Sequence, residues 1–89
     1  MSIYCVTYDL KSPGKDYTPV HNYLKKYTHC KKLESFWLID TNKKASAIRD
    51  ELEKLVDSND IIFVAEIKKH WAGLRFDCAA WLKETGRSW

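Results

Sequence analysis

Ile3-Tyr4-Cys5-Val6-Thr7-Tyr8-Asp9-Leu10 is a strand whose two faces are both apolar. Ile3, Cys5 and Thr7 alternate with Tyr4, Val6, Tyr8 and Leu10. A strand of that kind is covered on both sides, so it reads as a central one. It delivers a single carboxylate, Asp9, to its end. A basic, glycine-containing loop, Lys11-Ser12-Pro13-Gly14-Lys15, follows directly. One aspartate at a strand end beside lysines suits a site for a metal or a phosphate.

Working outward, Ser12-Pro13-Gly14 marks a turn. Thr18-Pro19 then opens a helix, with Thr18 as cap and Pro19 at the first helical position. Val20, Tyr23, Leu24 and Tyr27 fall at i, i+3, i+4 and i+7, which sets the buried stripe of that helix. Residues 30–41 hold two strands. Lys31–Glu34 forms a charged edge, and Ser35–Asp40 is apolar on both faces. The break between them falls at Glu34-Ser35 or is a bulge. A second helix runs from about Lys44 to Val56, with Ala45, Ile48, Leu52, Leu55 and Val56 turned inward. Asp50 and Lys54 are spaced to pair on its wet side. Residues 61–67, β-branched and aromatic, make a fourth strand. The order strand, helix, strand, strand, helix, strand predicts an α+β domain. Its plan is the ferredoxin-like βαββαβ antiparallel sheet with two helices on one face. Residues 68–89 add a C-terminal Trp-rich helical tail, in which Cys78, Trp81 and Leu82 share one face. The whole chain, residues 1–89, reads as a single domain with a 1–67 core.

With 89 residues, only about 60–65% of the unfolded surface can be buried. The chain is nonetheless rich in aromatics, with 4 Trp and 5 Tyr. The open face of the sheet therefore needs a lid, from a second copy of the chain or from the tail. Net charge is +3, and the lysines come in doublets, which read as solvated faces unless several converge on a groove. Cys5, Cys30 and Cys78 are widely spaced and form no zinc pattern. Cys5 and Cys78 read as buried free thiols, which implies a reducing compartment. With no signal peptide and no long apolar run, the expectation is a soluble cytoplasmic protein.

The motifs Tyr8-Asp9-Leu10-Lys11-x-Pro13-Gly14-x-Asp16-Tyr17, Glu34-Ser35-x-Trp37, Ile48-Arg49-Asp50 and Trp71-Ala72 resemble the Cas-two-like small proteins of bacteria and phages. That resemblance covers nearly the whole chain. It implies a homodimer of ferredoxin-like units whose strand-one aspartates meet in a shared cleft and hold a divalent metal. Asp9 would then be the metal ligand, for Mg²⁺, with Ser35 near it. The chain departs from the family in two places. The arginine-rich first helix is replaced by Tyr17, Pro19 and Asn22, and the terminal strand by the Trp-rich tail.

The residues alone support two functional classes. One is a homodimeric binder of nucleic acid or of a small, cyclic nucleotide. Lys11 and Lys15 would contact phosphate, and Tyr8, Tyr17, Trp37 and Trp71 are the candidates for base stacking. The binding set is Tyr8, Lys11, Lys15, Tyr17, Ser35 and Trp37. In a phage, such a pocket would sequester a nucleotide immune signal. The other class is a Mg²⁺-dependent endonuclease or phosphodiesterase with Asp9 as its catalytic ligand. A protein-interaction module is the third reading. His21, His29 and His70 have no mutual spacing that suggests a site.

Overall fold

In a computed structural model the chain is described at residues 2–11, 16–87 and 89. The turn expected at Ser12–Gly14 and the candidate residue Lys15 lie outside the described residues. Four strands and three helices follow one another as β1 (Ser2–Asp9), α1 (Thr18–Lys25), β2 (Thr28–Leu33), β3 (Phe36–Thr41), α2 (Ala45–Glu53), β4 (Ile61–Ile67) and α3 (Ala79–Leu82). The strands form one sheet in the order β2-β3-β1-β4. Every pairing in it is antiparallel. The result is an α+β domain consistent with the ferredoxin-like plan.

The two-faced apolar pattern of β1 has a direct structural counterpart. Tyr4, Val6 and Tyr8 join Trp37 and Ile39 of β3 under the helices, against Val20, Tyr23, Leu24, Ile48 and Leu52. Ile3 and Leu38 face the other way and pack with Cys78 and Leu82 of the tail. Each fully buried Leu or Ile in these clusters contributes about 1.5–3 kcal/mol. The tail, rather than a second chain, is thus the cover over this part of the second face. That cover stops short of one end of the sheet. Leu33, Phe36, Thr7 and Phe63 stand in register across all four strands. Leu33 is 49% and Phe63 59% exposed, and Ile61 beside them is 52% exposed.

Local details differ from the sequence reading at the α1 cap and at Asp50, and settle the connection it left open. Tyr17, not Thr18, precedes the first helical residue and makes no side-chain cap bond. The neighbouring Asp16 carboxylate accepts from the Thr18 backbone N–H at 2.9 Å instead, and hydrogen bonding to Thr18 holds its pKa below the usual range. Between β2 and β3 the chain both breaks at Glu34-Ser35 and carries an irregularity between Cys30 and Leu33. Ser35 sits at φ 60°, as a tight two-residue hairpin connection requires. Asp50 pairs with Arg49 at 2.6 Å rather than with Lys54, because the adjacent guanidinium already reaches it.

The free-thiol reading holds for Cys5 and is corrected for Cys78. Cys30 on β2 is disulfide-bonded to Cys78, with Cα atoms 5.9 Å apart, and only Cys5 is a free cysteine. The inference of a reducing compartment loses its basis, since such bonds persist in oxidising surroundings. Among the described residues no helix is long and apolar enough to cross a membrane.

Candidate ligand-binding site

Antiparallel pairing of β1 with β3 and β4 carries Asp9 to the sheet's end, opposite Ile61. Its carboxylate is 66% exposed and lies 3.5 Å from the Lys11 ammonium. Among the described residues no group of three or more His, Cys, Asp or Glu is placed to hold a metal ion. A metal at Asp9 would draw further carboxylates from a second copy. Ser35 approaches this end through its backbone. Its carbonyl accepts from the Tyr8 N–H at 3.2 Å and from the Thr7 hydroxyl at 2.9 Å.

The aromatic candidates lie elsewhere in the energetics. Trp37 is 1% and Tyr8 8% exposed, and the Trp37 indole N–H donates to the Tyr8 hydroxyl at 3.1 Å. Both rings belong to the core, with His21 and His29 flanking Trp37. Tyr17 is half-buried and donates its hydroxyl to Asp60 at 2.8–2.9 Å. Asp60 also accepts from the backbone N–H groups of Lys11, at 2.7 Å, and Asp57, at 2.8 Å. One carboxylate thereby ties the exit of β1, the start of α1 and the loop before β4.

A second polar network joins α1 to α2. Glu51 accepts from both the Lys43 ammonium, at 2.8 Å, and the Tyr23 hydroxyl, which also meets the Tyr27 hydroxyl at 2.7 Å. Hydrogen bonding to Lys43, then to Tyr23, holds the Glu51 carboxyl below its usual range. The same bond raises the Lys43 pKa. Burial, reinforced by Glu51 and Tyr27, pushes the Tyr23 phenol well above its usual range.

A further depression lies in the tail. A cleft of about 740 Å³ opens between residues 69–73 and residues 79–89. The indoles of Trp71 and Trp89 and the cations Lys69, Lys83 and Arg87 line it. Gly86, at φ +99°, turns the chain there, in a conformation that L side chains rarely adopt. Arg87 is committed. Its guanidinium lies 4.2 Å from the Trp81 ring centroid, 2.9 Å from Glu84 and 3.4 Å from Asp40. Asp40, on the tail side of β3, is only 7% exposed, so this pair is what makes its burial tolerable. Lys69 and Lys83 are exposed and have no ion pair among the described residues. The chemistry is that of a wet, two-lysine rim around apolar ring faces, suited to an anion that carries a planar group.

Of the base-stacking and phosphate-contact candidates named from sequence, only Trp71 is among the described residues that line this cleft. Lys69, Lys83, Trp89 and Gly86 were passed over. The available signal was a short helical stripe followed by Thr85-Gly86, with lysines on both sides. No family model matches the chain, and no solved structure matches it.

Proposed function

We propose that the protein binds, without cleaving, a phosphate-bearing ligand with a planar base: a nucleotide or a short single-stranded nucleic acid. The tail cleft carries this reading, because it sets Trp71 and Trp89 beside Lys69 and Lys83, two lysines with no ion pair among the described residues. Rings of this type take a base on their faces regardless of its identity, and exposed ammonium groups take phosphate. Its volume of about 740 Å³ lies within the range of small-ligand sites. This moves the binding set away from Tyr8 and Trp37, whose rings lie in the core, while Lys11 remains an accessible secondary phosphate contact. The hydrolase alternative asks for a carboxylate set that Asp9, exposed and salt-bridged to Lys11, does not supply within one chain.

The ferredoxin-like plan and Cas-two-like kinship form part of the proposal. So do a cytoplasmic setting and a homodimer. The dimer is supported by Leu33, Ile61 and Phe63, which the tail leaves exposed at this end of the sheet. The decisive experiment is calorimetric titration of the oxidised protein with ATP, with a cyclic dinucleotide and with a short oligothymidylate. Lys69→Ala/Lys83→Ala should weaken binding strongly while the melting curve is kept. For the oligonucleotide, that double variant should also lower the salt slope by about 1.4. Binding that is indifferent to both lysines would overturn the placement, and binding of none of the three would overturn the function. Mg²⁺-dependent cleavage that disappears in Asp9→Asn would establish the hydrolase instead.

A further inference from the structure

We propose that the Cys30–Cys78 disulfide is a redox clasp that determines whether the tail cleft exists; as regulation of binding, this rests on the reading just given. Every residue that lines the cleft comes from the chain after β4. The sheet contributes no wall to it. The cleft therefore persists only while the tail is folded against the sheet.

The other ties of the tail are non-covalent. α3 has four residues, far fewer than a helix needs to stand alone in water. Its apolar anchorage has Ile3, Leu38, Cys78 and Leu82 at its centre, with half-buried Trp71, Phe76, Trp81 and Trp89 packed around them. Arg87 adds one charged contact with Asp40. The disulfide, by contrast, is a covalent tie across 48 positions of sequence, from an edge strand to the residue just before α3.

Access to the two sulfurs is unequal. Cys78 is 1% exposed, whereas Cys30 is only partly buried. A dithiol reductant therefore meets the Cys30 side first. Its thiolate attacks Cys30 Sγ, the Cys30–Cys78 bond breaks, and Cys78 leaves with the electron pair and takes up a proton. The reductant's second thiol, as thiolate, then displaces Cys30. The reductant departs as a disulfide, and the protein has gained two electrons and two protons. Cys5 lies on the same sheet face and packs at the same cluster. Burial pushes its thiol pKa up, so it stays protonated and does not compete for either sulfur. Once the bond is open, residues 68–89 can leave the sheet, which uncovers Ile3 and Leu38 and removes the ligand's site.

The test compares oxidised and dithiothreitol-reduced protein under native conditions. Limited trypsin digestion is followed at Lys69 and Lys83, and binding of fluorescent ethenoadenosine triphosphate is measured in parallel. Reduction should speed tail cleavage by about tenfold or more, since cleavage tracks the open population, and should weaken probe binding by a similar factor. Cys30→Ser and Cys78→Ser should behave as the reduced protein whether or not reductant is present. Cys5→Ser should respond as wild type, and reoxidation should restore protection. Equal cleavage rates in the two redox states would overturn the clasp, as would peptide mapping of the air-oxidised protein that finds Cys30 and Cys78 unlinked. If the probe fails to bind even the oxidised form, the nucleotide reading falls, while the digestion result still decides the clasp.

Discussion

Replacing Asp60 with alanine removes the carboxylate on which three separate segments converge. Among the described residues three donors lose this acceptor: the Tyr17 hydroxyl and the backbone N–H groups of Lys11 and Asp57. A hydrogen bond to a charged group is worth about 1.5–3 kcal/mol when well buried, and about 1 kcal/mol is the common net value. The Lys11 contact is exposed and the other two are part-buried, so the lower value applies and the first bond counts for less. The expected loss is about 2–3 kcal/mol. For a domain of this size each kcal/mol moves the melting temperature by about 4–8 °C, so Asp60→Ala should melt roughly 8–24 °C lower. Tyr17→Phe isolates one arm and should cost about 1 kcal/mol. The assay is urea unfolding followed by tryptophan emission, carried through the double-mutant cycle of Tyr17→Phe with Asp60→Ala. A coupling energy of about 1 kcal/mol is expected, and one below about 0.3 kcal/mol would refute the idea that this carboxylate holds the helix start to the loop.

Leu52→Ala empties a site that is 0% exposed on α2 and should cost about 2–5 kcal/mol, read as a lower urea midpoint at unchanged slope. Cys78→Ser removes a loop closure over 48 positions, and the chain-entropy model gives a loss of about 4 kcal/mol, measurable by oxidised-against-mutant unfolding. Acid should weaken the α1–α2 junction: the Glu51 pKa is lowered in the fold, so its contribution is whole above about pH 4.3 and fades as pH falls through the lowered value. Lys43 works in the opposite sense. Its pKa is raised, so its contribution is whole below about pH 10.4 and is lost as pH rises through the raised value. Glu51→Gln should flatten the acid limb of the stability profile, and an unchanged limb would assign the acid sensitivity elsewhere.

The elements were legible because their signals are local. Tyr4/Val6/Tyr8 against Ile3/Cys5 announced a strand covered twice, and Val20/Tyr23/Leu24 and Ile48/Leu52 announced helix faces, all at fixed short spacings. The need for a lid over the second face was legible for the same reason. What escaped depends on partners far apart in sequence. Three cysteines allow several pairings or none, and nothing near Cys30 or Cys78 selects the bond between them. Asp60 sits in a run, Asp57-Ser58-Asn59-Asp60, that has the composition of any polar loop, yet its donors lie up to 49 positions away. Asp40 looked like the polar end of a strand, and its cation is Arg87, 47 positions on. Tyr8 and Trp37 were kept as stacking candidates because a ring's chemistry shows in sequence, whereas its exposure does not.

The row Leu33–Phe36–Thr7–Phe63, exposed at its two ends, terminates at β4, an edge strand. From Ile61 to Ala65 that strand carries no charge, and the first, Glu66, comes only near its end, followed by Lys68. An apolar, uncharged edge with backbone groups facing outward is a template on which another strand can be laid. The Glu66–Lys68 pair, 3.0 Å apart, therefore acts as a gatekeeper at one end of an otherwise open seam. Shelf life in concentrated solution should depend on the wet side of Phe63 more than on the melting temperature. A lysine introduced there would keep the protein dispersed without any change in its core.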